Sequence, residues 1–373
     1  MIYKNLVQKI SIPADRKTKQ KDYLLAGQLP IIDQGKKLIG GYSNDLTKTI
    51  SCDLPVIVFG DHTKVVKYIS FPFGAGADGI KILKPKENIF PKYLYYATQY
   101  LTLKMEDKGY ARHYQHLEKK DLSVPPLEEQ QRIVARIEEL FSELDAAVAT
   151  LERTKEQLAV YRQAVLKEAF SPKDNWSVKK VSEIGEVCLG RQRSPKNVSK
   201  DYPTKYLRAA NITETGIDLT DVLEMEFSPK ERTKYYLQYN DIILSEASGS
   251  AKQVGKPGLW KCQIQDCCIQ NTVIRHRVKA DNPEYVYWYY KYLYISGFFS
   301  NIVGGVGINH LGAKNFAEIR INLAPVSDQE GIVSDIESRL SVCDKIEETV
   351  ITALQEAEAM RQSILKQAFA GEL

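Results

Sequence analysis

Two stretches of this chain imitate the signatures of methyl transfer. Phe71-Pro72-Phe73-Gly74-Ala75-Gly76 is like a Gly-rich loop for S-adenosylmethionine, and Asn282-Pro283-Glu284-Tyr285 is like the catalytic Asn/Asp-Pro-Pro-Tyr of adenine methylases. Both are defective: the first has its Phe at the wrong spacing, the second has Glu284 where Pro is needed, and a long helical segment separates them where one continuous sheet is required. Gly249 to Lys256 imitates a phosphate-binding loop, yet five residues separate Gly249 from Gly255, and Pro257 stands where Ser or Thr would hold magnesium. Cys262, Cys267, Cys268 and His276 could be drawn around zinc, but paired Cys-x-x-Cys knuckles are absent. Scattered Asp and Glu residues show no metal-nuclease spacing. The sequence thus predicts no catalytic residue, metal site or cofactor of its own.

What remains is recognition chemistry. Guanidinium, ammonium, amide and imidazole groups on polar loops can hold phosphates or read guanine and adenine edges. In residues 1–125 the candidates are Lys36, Lys37, Tyr42, His62, Lys64, Arg112, His113 and Gln115. In residues 173–324 they are Arg191, Arg193, Lys196, Arg208, Asn211, Lys252, Gln253 and Asn309. The plainer reading of any one surface Lys is a solvated side chain. Charge favours the first reading: residues 1–125 carry +8 and 171–324 carry +5, while 126–170 carry −3 and 325–373 carry −6. Two basic units alternating with two acidic ones suit a polyanion, with nucleic acid the first candidate.

The acidic segments are copies of one another. Pro126–Phe170 and Pro325–Phe369 align without a gap at a spacing of 199 residues, with 15 of 45 positions identical. The identities include Gln130/Gln329, Ile137/Ile336, Asp145/Asp344, Arg162/Arg361, Lys167/Lys366 and Phe170/Phe369. A linker under no constraint tolerates insertion cheaply, so the kept length itself matters. Each copy follows a proline-containing loop and runs some forty residues with Gly331 as its only Gly or Pro, which predicts a long helix. Apolar residues recur at heptad spacing: Ile137, Leu144, Leu151, Leu158 and Val165 on one line, Leu140, Ala147, Thr154 and Tyr161 on the next. The second copy matches with Ile336, Cys343, Val350, Ala357 and Ile364, then Arg339, Ile346, Ala353 and Met360. Neither stripe is strongly apolar alone, so antiparallel pairing of the two copies is the economical arrangement, with a homodimeric parallel coiled coil as the alternative. Asp145, Asp344, Arg162 and Arg361 suit either salt links between the helices or docking of a partner.

The units between the helices also echo one another. Pro91-Lys92-Tyr93-Leu94-Tyr95-Tyr96 resembles Pro283-Glu284-Tyr285-Val286-Tyr287-Trp288, and short β-branched runs precede both. Each unit reads as α/β, with a Tyr-rich helix before the spacer. At helical spacing those tyrosines are expected in a core, ahead of a base-stacking role. The boundaries expected are 1–125, 126–172, 173–324 and 325–373. Six cysteines without framework spacing suggest reduced thiols, and no apolar run at the N-terminus looks like a signal, so a cytoplasmic chain with no membrane contact is expected.

The order of these parts resembles the specificity subunit of type I restriction-modification systems. The resemblance rests on Val124-Pro125-Pro126-Leu127, Glu129-Gln130-Gln131-Arg132-Ile133-Val134, the long helix and Ala169-Phe170, all recurring and closing on Ala370-Gly371-Glu372-Leu373. Trp176, Ile184, Gly190-Arg191-Gln192-Arg193-Ser194-Pro195, Tyr206-Leu207-Arg208 and Asn211-Ile212 extend it through unit two, and Pro30 to Gly35 with Gly40-Gly41-Tyr42 through unit one. It implies two target-recognition domains, each reading half of a bipartite double-stranded DNA target across a gap fixed by the helices. It further implies two methylation subunits that bring S-adenosylmethionine and flip an adenine out of each half-site, with room for ATP-driven restriction subunits. A coiled-coil scaffold associated with DNA, and an S-adenosylmethionine-dependent adenine methylase, are the alternatives.

Overall fold

In a computed structural model, which describes residues 1–77, 79–106, 111–192, 203–303 and 309–373, the chain divides into two compact units. One is Met1–Glu152 with Val350–Leu373, the other Arg153–Thr349. Both long helices, Leu127–Ala169 and Val326–Ala370, contribute to each unit.

In the first unit the main sheet is antiparallel, in the order Val7–Ile10, Ile80–Pro85, Val56–Gly60, Val66–Ile69. Val56–Gly60 is buried at every residue, as a β-branched and aromatic run covered on both faces must be. Side chains alternate faces along it. Ile57 and Phe59 meet the Tyr-rich helix Pro91–Leu103, whereas Val56 and Val58 meet Ile32, Phe73 and Ile82. A smaller sheet is built around Leu29–Ile32, antiparallel to Gly41–Ser43 and parallel to Gly74–Gly76.

The second unit repeats the plan. Its main sheet runs Gly185–Leu189, Val273–Val278, Ile242–Ser245, Pro257–Leu259, again antiparallel. Ile242 and Leu244 face the Tyr-rich helix Pro283–Ile295, and Ile243 faces Leu207 and Trp260. Its smaller sheet sets Pro203–Leu207 parallel to Cys267–Ile269 and antiparallel to Leu223–Glu226.

Two kinds of contact fasten the long helices to the globular parts, and both use residues identical in the repeat. Buried Gln130 accepts a hydrogen bond from Phe90 N at 2.8 Å and donates to Asn88 O at 3.0 Å and Pro125 O at 2.8 Å. Buried Gln329 accepts from Asn282 N at 2.7 Å and donates to Asp281 Oδ1 at 2.8 Å and Ala324 O at 3.0 Å. Each glutamine thus ties the start of a long helix to the start of a Tyr-rich one. Phe369 stacks on Tyr100 with ring centroids 5.1 Å apart and tilts against Tyr93, while Phe170 sits edge-on to Tyr285 and Tyr289. Tyr93, Tyr96, Tyr100, Tyr285, Tyr289 and Tyr290 are buried, so these rings are core.

The long helices pair antiparallel in both units. In the first, Asp145 pairs with Arg361 and Arg132 donates to the carbonyl of Leu373. In the second, Arg162 reaches Asp344 at 2.6 Å and Glu347 at 2.7 Å, and Arg339 reaches Glu168 at 3.0 Å. The Arg–Asp link therefore recurs with the partners exchanged between copies. Of the expected pairing residues, Ile137, Leu144, Leu158, Val165, Ile336, Val350 and Ile364 are buried, and Leu140 and Leu151 are half-buried. Ile346 and Met360 correct the expectation, being 41% and 55% exposed, whereas Tyr161, though 45% exposed, joins the pairing through Arg339, whose guanidinium lies over its ring at 5.7 Å and donates to its hydroxyl at 3.4 Å. Toward the helix ends, positions four residues after the first line are buried as well: Val134, Phe141, Val333, Leu340 and Ala368. At about 100° per residue, the fourth position lies roughly 40° from the line and the third roughly 60° on its other side. The helix ends also pack on the Tyr-rich helices, which selects the nearer side.

Candidate nucleic-acid interface

In the first unit three loops converge on Gly60, the last residue of the central strand. Thr63 Oγ1 donates to Gln34 O at 2.7 Å, and Lys67 Nζ donates to Asp33 O at 2.8 Å. These bonds hold the turn after the strand against the base of the loop bearing Lys36 and Lys37. His62 Nδ1 lies 3.1 Å from Ala111 O, and Asp61 O accepts from His113 N at 2.8 Å, which brings in the 111–115 segment. Lys36, Lys37, Arg112 and Gln115 are exposed, and His62 and Lys64 half-buried, so six of the eight candidates share this loop cluster. Lys64 adopts φ 59, a left-handed turn conformation. Tyr42 sits on the smaller sheet, paired with Leu24. His113 corrects the expectation: at 1% exposure it has no face for DNA, because the short helix it starts packs under the turn.

The second unit brings equivalent loops together. Ser248 pairs with Asn309 across a two-residue ladder, and Ala209 N donates to Thr272 Oγ1 at 3.1 Å. Exposed Lys252 and Gln253 follow on a short turn, and Gln253 shares an open cleft of about 580 Å³ with Ala209, Ala210, Ser248 and Lys256. Two candidates here are corrected by burial. Arg191, 8% exposed, donates to Glu231 at 2.7 Å and to Glu226 O and lies over the Phe227 ring, so its charge is spent inside the unit. Asn211, 3% exposed, accepts from Arg208 N at 3.0 Å and donates to Asp218 O at 2.9 Å and Asp221 O at 3.0 Å. Arg208 is half-buried and paired with Asp221. Arg193 and Lys196 lie outside the described residues. Gly190, beside Arg191, is needed for close approach: a Cβ there would stand 2.2 Å from the backbone oxygen of Gln270.

Several cations escaped sequence reasoning. Lys9, Lys17 and Lys81 line one groove in the first unit, although they lie on three separated segments that no local pattern connects. In the second, Lys256 pairs with Glu214 at 3.2 Å, where burial raises the carboxyl but hydrogen bonds from Tyr294 and Lys256 outweigh it and hold it below the usual range. Glu246 and Asp61 were also missed, each lying just past a central strand and each buried. The signal available was their shared place in the repeat.

The imitated motifs are used structurally. Gly74–Gly76 is a sheet strand, Asn282 caps the Tyr-rich helix by accepting from Glu284 N at 2.8 Å, and Tyr285 is wholly buried. Cys267 and Cys268 face different cores, as consecutive strand residues do, and burial pushes both thiols up to about 12. Among the described residues no helix is long and apolar enough to cross a membrane.

A model of the type I restriction modification DNA specificity domain matches residues 8–157 and again 173–356. The chain belongs to this family. The chain is 29% identical over 269 residues to the EcoKI specificity subunit of Escherichia coli K12, and 26% identical over 276 residues to the StySPI specificity subunit of Salmonella potsdam. Each alignment covers 68% of this chain and 58% of the relative, so the match spans less than two thirds of those proteins. The fold is like that of a chain solved in a study of complex assembly in the type I R-M system, with TM-score 0.75 and 15% identity over 100% of this chain and 97% of that one. The HsdS subunit from Thermoanaerobacter tengcongensis follows with TM-score 0.52 and 15% identity, covering 100% and 96%. Two family domains account for the two loop clusters, one in each unit.

Proposed function

We propose that this chain is the sequence-specific DNA-binding specificity subunit of a type I restriction-modification complex. Each globular unit reads one half of a bipartite target, and the antiparallel helices set the gap and dock two methylation subunits. Those subunits bring S-adenosylmethionine, and a restriction subunit driven by ATP can join them. The chain itself carries out no bond-making step. The observation that carries this reading is the repeated loop cluster: one basic, amide-bearing set of loops beside the central strand of each unit, on a chain whose family domain occurs twice. Exposed cations there supply phosphate attraction, and amides supply base discrimination.

The test is to map modified adenines in cells that express this chain with a candidate methylation subunit. A bipartite motif with a fixed gap is the expected outcome. An unsplit motif would overturn the reading. DNA affinity that merely follows charge, without methylation, would favour the scaffold alternative.

A further inference from the structure

We propose that His310 and Lys81 are base-reading residues, each held by a buried carboxylate that recurs at the same place in both units. The inference rests on the reading of this chain as a DNA specificity subunit. Asp61 follows the central strand Val56–Gly60 and is 3% exposed; Glu246 follows the central strand Ile242–Ser245 and is 7% exposed. The backbone ties match as well. Asp61 N donates to Gly79 O at 2.6 Å and its carbonyl accepts from His113 N at 2.8 Å, while Glu246 N donates to Thr272 O at 2.8 Å and its carbonyl accepts from Leu311 N at 2.9 Å. The same knot therefore joins three loops in each unit, with an acid at its centre.

Neither acid faces solvent alone. Lys81 Nζ lies 3.3 Å from Asp61 Oδ2, and His310 Nδ1 lies 3.1 Å from Glu246 Oε2 and 3.3 Å from Oε1. An ionised carboxylate only accepts, so His310 donates through Nδ1 and its Nε2 remains for another partner. The His310 side chain is 58% exposed and that of Lys81 28%, although their anchors are buried. A base edge is discriminated only by a group fixed in position, which a freely rotating surface lysine is not. These two side chains meet that condition: His310 sits beside Asn309 on the ladder bordering the cleft, and Lys81 lines the groove shared with Lys9 and Lys17. Glu246 and Asp61 act through them as positioning residues.

The experiment uses the full chain co-expressed with its methylation subunit, with modified adenines mapped for wild type, H310A, K81A, E246Q and the double variant E246Q/H310A. H310A is expected to relax one base position of one half-site at least tenfold while the other half-site and the gap stay unchanged. K81A should do the same in the opposite half-site. E246Q should relax the H310A position, and the double variant should relax it no further than H310A alone. An unchanged motif in H310A and K81A would overturn the proposal, as would uniformly weaker methylation at every site, which marks a phosphate holder. Should H310A fail to fold by thermal melting, H310N takes its place. A wild type without any bipartite motif would instead defeat the specificity-subunit reading itself, and this inference with it.

Discussion

Gln130 and Gln329 each satisfy three polar groups at the start of a long helix, and both side chains are buried. Replacing either with Ala removes the partner of a part-buried backbone N–H and of two acceptors, carbonyl oxygens for Gln130 and a carboxylate and a carbonyl oxygen for Gln329, a loss of roughly 1–3 kcal/mol. Chemical denaturation of Gln130→Ala and Gln329→Ala should show it in both variants. His276 gives a pH prediction. Burial pulls its imidazole down to about 4 from the ordinary 6.5, so the unfolded chain binds the extra proton between those values. Stability therefore falls as pH drops from 6.5 toward 4, by an amount approaching about 3 kcal/mol from this residue alone. The stability curve of His276→Gln, measured from pH 7 to 5 where few carboxylates titrate, should be flatter than that of the wild type.

The long helices show how much of an element's role depends on which face it presents. Ile336 is wholly buried and Ile346, ten residues on, is 41% exposed, although both stand on expected heptad lines. Ile336→Ala should cost about 2–5 kcal/mol through lost transfer energy and a cavity. Ile346→Ala should stay within about 0.5 kcal/mol. Melting curves of the two variants decide between the observed stripe and the one drawn from the third position. Equal losses would favour the latter. In the Arg162–Asp344 and Arg361–Asp145 pairs the carboxylate side chains are 69% and 64% exposed, so each pair adds little stability and contributes mainly register.

At the scale of the whole molecule, the kept length of the repeat gains a physical meaning under the proposed function. Each long helix spans about 65 Å at about 1.5 Å per residue. Removing one matched heptad from each, 147–153 and 353–359, retains the buried stripe on its face and shortens both helices by about 10.5 Å. That corresponds to about three base pairs at about 3.4 Å each. Adenine mapping should report the same half-sites with a gap reduced by about that number. Half-sites altered at the old gap would refute the role of the helices as a ruler.

The duplication, the two α/β units and the helical nature of the spacers were legible in the sequence, because each rests on local periodicity or on identity between copies. Gln130 and Gln329 were visible as an identical pair, and Tyr93 and Tyr285 were readable as core from helical spacing. Which polar residues stay available was not legible. Arg191, His113 and Asn211 have the side chains that read DNA, yet the fold consumes all three internally, since burial depends on segments distant in the chain. The same distance hid the Glu246–His310 and Asp61–Lys81 pairs, the first joined across 64 residues. The heptad spacing, likewise, left open which residues beside the first line are buried, a choice made toward the helix ends by packing against the Tyr-rich helices. Chain-local chemistry determined what this protein is built from, and tertiary contact decided which of its charged groups remain free to meet another molecule.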